Sequence, residues 1–115
     1  NNNNNNNNDG KDDRSNTKGD GPVDAATRLT QLSQFQEQCV LKAMSFPAVE
    51  KVSYSTCSIH ETENEQVVAR VLAANTDFDV ETVLPQWPRR GLDTYPFGAK
   101  VIRCNRQLDG TTGFF

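Results

Sequence analysis

Val49-Glu50-Lys51-Val52-Ser53-Tyr54-Ser55-Thr56-Cys57-Ser58 decides how this chain is read. The run is rich in β-branched residues, ends on a thiol and gives way to polar residues. Glu61-Thr62-Glu63-Asn64-Glu65 follows, with a helix-start signature in it. In open α/β sheets ligands gather outside the carboxyl ends of strands. A helix N-terminus also supplies positive potential that favours a thiolate over a thiol. Cys57 is therefore either a nucleophile or a small apolar residue at a strand end.

On both sides of this stretch the pattern alternates helix and strand. Asp24 is suited to N-cap a helix. Leu29, Leu32, Phe35, Cys39, Val40, Ala43 and Met44 then recur at three- and four-residue steps, one apolar stripe ended near Phe46 by Pro47. Cys39 lies on the stripe and reads as core packing. After the thiol, Thr62 and Glu65 fit a capping box. Val67, Val68, Val71 and Leu72 form the expected buried face of the second helix, with Asn75 as its stop. Phe78 to Val83 alternates as a half-exposed strand, Leu84 to Gly91 is a loop, and Lys100 to Cys104 is a short strand in which Cys104 packs. Asp109-Gly110 is a turn, and Gly113-Phe114-Phe115 reads as a strand beginning. This order suits the second half of an open α/β sheet. Two exposed phenylalanines at the end of a soluble chain are unusual, so the expectation is a truncated domain with an unpaired sheet edge.

Residues 1–23 have a different character. Asn1 to Asn8 is a homopolymer, and no apolar residue follows before Pro22. Such a segment cannot bury enough surface to offset its chain entropy and is expected to be disordered, leaving 24–115 as the folded part. No stretch is apolar enough to span a membrane, and no basic-then-apolar signal stands at the start. The three cysteines form no C-x-x-C pair, which argues against a disulfide framework or a zinc site and for a reducing compartment. Net charge is −3, against a general nucleic-acid binder. The basic residues cluster, however: Pro85 to Arg106 carries Arg89, Arg90, Lys100, Arg103 and Arg106 against Asp93 alone, which allows a local phosphate-facing patch.

Spacing sets several thiol chemistries aside. A cysteine phosphatase places an arginine where this chain has Glu63, within a glycine-containing loop that is absent. His60 stands where a disulfide oxidoreductase has its second cysteine. A cysteine hydrolase needs a histidine brought in by the fold, and His60, the one histidine, sits on the same turn as Cys57. No glycine-rich phosphate loop is present.

Tyr54-Ser55-Thr56-Cys57-Ser58 with Glu63-Asn64-Glu65 and Val67-Val68 resembles the T-C-S…E-N-E block of NSUN/Sun-domain (Fmu-like) RNA (cytosine-5)-methyltransferases. The helix from Leu29, with Phe35-Gln36 and Ser45-Phe46-Pro47, is similar to the segment preceding that block. Leu84-Pro85 with Trp87-Pro88-Arg89-Arg90-Gly91 looks like the loop of the large-subunit ribosomal RNA branch, subfamily five. Gly113-Phe114-Phe115 resembles the start of the family's final strand, with Thr112 where an Asp is frequent.

The resemblance implies an α/β fold, the C-terminal half of a Rossmann-like methyltransferase sheet. It implies Cys57 as the thiolate that adds to carbon 6 of cytosine, S-adenosylmethionine as methyl donor, and RNA, in particular ribosomal RNA, as partner. It implies a nuclear or nucleolar place in a eukaryote and a cytoplasmic one otherwise, with no membrane or metal. The family's glycine-rich cofactor segment, its base-holding Asp and its second cysteine in a D-x-P-C block have no counterpart here; the flanks of Cys39, Gln38 and Val40, do not match. The chain is accordingly expected to be an inactive piece by itself.

Other residues carry two readings. Glu63, Asn64 and Glu65 either complement the helix dipole or hold the Cys57 loop in shape. Trp87 is a plug between prolines or a platform for a base. Arg89 and Arg90 are solvated or contact phosphate, and Arg103 has an RNA or a structural role. The contrasting function is a non-catalytic RNA-binding or interaction remnant acting through residues 85–106.

Overall fold

Asp24 caps the first described helix. In the computed structural model, which describes residues 24–115, its carboxylate accepts from Ala26 N at 2.7 Å and starts α1, Ala25–Met44. The expected disordered segment, 1–23, lies outside the described residues. The helix closes at Ser45, just before Phe46-Pro47. Its apolar stripe is only partly used: Leu32 and Phe35 are 47% and 66% exposed, and Cys39 is exposed instead of packed in a core. The row that meets the second helix is polar. Ser33 is buried, Gln36 reaches Glu63, and Glu37 pairs with Arg70 at 2.6 Å.

That second helix, α2, spans Glu65–Ala74, preceded by a 3₁₀ turn at Glu61–Glu63. Val67 and Val71 are buried, Val68 and Leu72 pack beside them, and Asn75 is the C-cap, as the periodicity implies. The capping box does not form. Asn64 is the N-cap and makes no side-chain cap bond, because its amide and the Glu65 carboxylate face other partners. A four-residue helix, α3, runs Arg106–Asp109 with Asn105 as its cap, and Gly110 ends it at φ 64°, the turn expected at Asp109-Gly110.

The expected sheet is reduced to single rungs. Among the described residues no strand forms at Val49–Ser55, Phe78–Val83 or Lys100–Cys104, and 98–100 is a 3₁₀ turn. A strand exists by virtue of its ladder, and these segments have few ladder partners. What remains is ordered. From Lys51 to Ser58, half-buried residues alternate with exposed ones, as in extended chain. Thr56 and Phe115 exchange both backbone hydrogen bonds, at 3.1 and 3.0 Å. Cys104 bridges Phe114, and Ile102 bridges Arg90, both antiparallel. Residues 113–115 therefore lie between the 49–56 and 101–104 tracks, antiparallel to each.

The core sits beneath these rungs. Phe97, Val101 and Phe115 are buried together against Tyr54, Val68 and Leu72. Of the two phenylalanines expected to be exposed, Phe115 is 5% exposed and meets Tyr54 edge to face, with ring centroids 6.4 Å apart; Phe114 stays 43% exposed. Beside this core, between residues 50–55 and 79–83, an apolar cleft of about 640 Å³ stays open.

Candidate active site

Cys57 stands exposed at the crest of a loop whose other residues are tied down. On the upstream side, Thr56 is held through its backbone by Phe115, and its hydroxyl donates to Asn64 Oδ1. Ser58 N donates to Thr56 Oγ1 at 3.2 Å, the Ser58 carbonyl accepts from Asn64 Nδ2 at 2.9 Å, and the Ser58 hydroxyl donates to Glu63. His60 N donates back to Ser58 Oγ. Downstream, the Ile59 carbonyl accepts from Arg103 Nη1 at 2.8 Å. Cys57 makes no side-chain hydrogen bond among the described residues, so its sulfur is presented bare by a fixed backbone.

The holding residues are themselves buried. Glu63 is 8% exposed, and Asn64 and Glu65 are fully enclosed. Glu63 also accepts from Gln36 Nε2 at 3.0 Å, which links the loop to α1. Tyr54 OH donates to the Glu63 carbonyl; burial first, and the Glu63 charge second, push this phenol up to about 12. Glu65 receives Arg103 in a two-pronged pair, Nε to Oε1 at 2.8 Å and Nη2 to Oε2 at 2.6 Å, and accepts from Leu92 N at 3.2 Å. Burial alone raises the Glu65 carboxyl, but the Arg103 bonds, the local backbone amides and the Arg103 charge outweigh it and hold the group below its ordinary range. Arg103 is correspondingly raised, by its bond to Glu65 first. Buried charges persist when paired and hydrogen-bonded in this way.

The three arginines expected at RNA are placed differently from one another. Arg89 is paired bidentately with Asp109, whose side chain is 2% exposed. Arg90 donates to the Val83 and Leu84 carbonyls, at 2.6 and 2.5 Å. Arg103 is committed to Glu65 and Ile59. All three border a second cleft of about 420 Å³, together with Ile59 and Arg106, so the basic cluster does adjoin the Cys57 loop. Trp87 is half-buried between its prolines, its indole N–H enclosed without a partner among the described residues. His60 is exposed.

Two contacts were not foreseen. Gly113, at φ 103°, backs onto the loop: a Cβ there would come within 2.9 Å of Ile59 Cγ2 and 3.7 Å of the Cys57 carbonyl. The Glu65–Arg103 pair joins residues 38 apart in sequence. Its one signal is the charge imbalance, acidic up to Leu84 and basic from Pro85 to Arg106. Among the described residues no group of His, Cys, Asp and Glu could hold a metal ion.

By sequence the chain is similar to RNA cytosine-5 methyltransferases of the NSUN type. Relatives that it matches include enzymes named for 25S and 28S rRNA. It is 43% identical over 90 residues to the 25S rRNA (cytosine-C(5))-methyltransferase NSUN5 of Arabidopsis thaliana, a match covering 76% of this chain and 16% of that protein. It is 40% identical over 89 residues to the 28S rRNA (cytosine-C(5))-methyltransferase of Mus musculus, covering 76% of this chain and 19% of that one. It is 42% identical over 95 residues to the 25S rRNA (cytosine-C(5))-methyltransferase rcm1 of Schizosaccharomyces pombe, covering 76% and 21%. No family model matches the chain. The chain thus spans about a fifth or less of the length of these relatives.

Proposed function

We propose that this chain is the nucleophile-bearing portion of an RNA cytosine-5 methyltransferase acting on large-subunit ribosomal RNA, with Cys57 as the nucleophile. The observation that carries the reading is the loop geometry: Cys57 is exposed while its neighbours Thr56, Ser58 and Ile59 are held by hydrogen bonds to Asn64, Glu63 and Arg103. The names of the relatives supply the substrate class. In the proposed reaction the Cys57 thiolate adds to carbon 6 of a cytosine, forming an S–C bond, and the π pair of the carbon 5–carbon 6 bond makes carbon 5 the nucleophile. Once carbon 5 has taken up the methyl group, loss of its proton, with that C–H pair re-forming the carbon 5–carbon 6 bond and expelling the thiolate, restores the ring. The target base must be turned out of its stack to reach Cys57.

S-adenosylmethionine is the methyl donor that the relatives' class implies, and the residues here do not fit it. The larger cleft is apolar, the smaller one is arginine-lined, and neither adjoins a glycine-rich strand–loop–helix. Neither cleft is therefore assigned to the cofactor.

The same proposal extends to the fold. The walls beyond the Thr56–Phe115 and Cys104–Phe114 rungs favour a larger sheet, since the backbone groups of Tyr54 and Ile102 lie on the sides of their tracks that face the 113–115 track. It extends also to RNA contact at the arginine cleft. Asp109 and Glu65 neutralise Arg89 and Arg103, so the excess positive charge there rests on Arg90 and Arg106. A non-catalytic RNA-binding role for residues 85–106 would draw on the same two charges.

Trapping with RNA that contains 5-azacytidine tests the enzymatic reading. The full-length protein is expected to form a covalent adduct that Cys57→Ala abolishes; an adduct surviving that substitution rules Cys57 out. A protein that binds RNA but forms no adduct favours the non-catalytic role.

A further inference from the structure

The loop around Cys57 is held from two sides, and the two are unlike. Immediately on either side of Cys57, Thr56 and Ser58 are fixed by Glu63 and Asn64, near neighbours in sequence that any helical start in this region would bring close. Downstream, at Ile59, one bond fixes the main chain: Arg103 Nη1 to the Ile59 carbonyl, across 44 residues of sequence. Ile59 itself is 55% exposed and gains little anchoring from burial. Among the described residues Arg103 is therefore the long-range tether of the downstream half of the loop, whose other bonds, at Ser58 and His60, are local.

Arg103 is in turn aimed by Glu65. Two of its nitrogens, Nε and Nη2, are taken by the two Glu65 oxygens, which leaves Nη1 directed at Ile59. Glu65 is 0% exposed, so this carboxylate has no solvent role to play. The Arg103 side chain is 21% exposed, and three of its donors are already committed. A guanidinium so engaged is poorly placed to hold an RNA phosphate. A planar fork with fixed donor directions is also what a lysine cannot reproduce.

We propose that Arg103, oriented by Glu65, is a positioning residue for Cys57: it sets the height and direction of the thiol by fixing the Ile59 carbonyl. This rests on Cys57 being the nucleophile, and it replaces an RNA-contact role for Arg103. Displacing a reacting group by about 1 Å costs about 100-fold in rate even when binding is intact.

The test is made on the full-length protein with its ribosomal RNA substrate, comparing wild type, Arg103→Lys and Glu65→Gln. Expected for Arg103→Lys is a fall of about 10- to 100-fold in kcat and in the rate of adduct formation with 5-azacytidine RNA, the two falling together, while KM for RNA stays within about twofold. Glu65→Gln keeps the shape but removes the charge that aims the fork, so the same two rates fall with KM unchanged. Because the two residues act as one unit, the double variant is expected to be no slower than the worse single one. A rise in KM for RNA with kcat unchanged, together with a shallower salt dependence, overturns the proposal in favour of phosphate contact. Unchanged kinetics in both variants overturn it outright. Should Arg103→Lys fail to fold, Glu65→Gln alone decides by the same criteria. Loss of the wild-type adduct in Cys57→Ala is read separately, so the failure of Arg103 as a positioning residue is distinguishable from a failure of Cys57 as nucleophile.

Discussion

Gly113 has φ 103°, in a region where a side chain is strained, and the Cβ of an alanine would lie 2.9 Å from Ile59 Cγ2. Any side chain here must displace the Ile59 methyl beside the Cys57 loop. Gly113→Ala is expected to destabilise the full-length protein by about 1–3 kcal/mol, read as a lower urea midpoint, and to slow adduct formation in parallel. Cys57 stands out in the sequence as the proposed nucleophile because Thr56, Ser58 and the Glu63-Asn64-Glu65 block accompany it at fixed spacing. Arg103 was singled out, but its partners lie 38 and 44 residues away, and no local rule names a long-range ion pair. Phosphate contact at the arginine cleft is tested here too. Arg90→Ala and Arg106→Ala are each expected to weaken RNA binding and to reduce the slope of log K against log salt by about 1, measured by binding titrations at several salt concentrations. An unchanged slope in both variants rules out phosphate contact there.

At the scale of the element, α2 carries the site by the way it starts. Local propensity assigns Thr62 and Glu65 to a capping box; the helix instead begins at Glu65, with Asn64 as an N-cap whose amide serves the Cys57 loop. Tertiary partners outbid the local motif, because a buried carboxylate gains more from a guanidinium fork than from one backbone N–H. The α1 stripe shows the same override. Its period gave the helix correctly, yet the face in contact with α2 carries Ser33, Gln36 and Glu37, while Leu32 and Phe35 point outward. The use of Glu65 has a pH signature. Its carboxyl is held below the ordinary value of 4.5 in the folded state, so the pair's stabilisation is complete above that value and is lost as pH falls through the lower folded one. The thermal midpoint of wild type is expected to exceed that of Glu65→Gln above about pH 5, and the gap to narrow as the pH falls below 4.5 through the lowered folded-state value. A gap that stays constant over this range would mean that the Glu65 charge contributes nothing.

At the scale of the whole molecule, the sequence pattern gave the right succession of segments and too much sheet. Val49–Ser55 has the composition of a strand and runs extended, but pairing is a property of two segments, and composition reports on only one. The rungs that do form define the slot. Thr56 pairs with Phe115, and Cys104 with Phe114, so 113–115 is a track wedged between two others. In extended chain, residues of the same parity point their backbone groups the same way, so the amide of Tyr54 lies on the side used by Thr56, and that of Ile102 on the side used by Cys104. The apolar cleft lined by Val52, Tyr54, Val83 and Ile102 lies in the line of this track. A strand laid there in the full-length protein would pair with Tyr54 and Ile102 at once and cover the cleft. Hydrogen exchange resolved to single amides is the direct measure. Tyr54 and Ile102 are expected to exchange at least about 100-fold more slowly than unprotected amides in the full-length protein, within reach of Thr56 and Cys104. Ser53 and Ser55 have the opposite parity, so their protection reports on a separate neighbour on the far side of the track. If Tyr54 and Ile102 exchange freely while Thr56 is protected, the single rungs are all the sheet this region possesses, and the larger sheet is excluded.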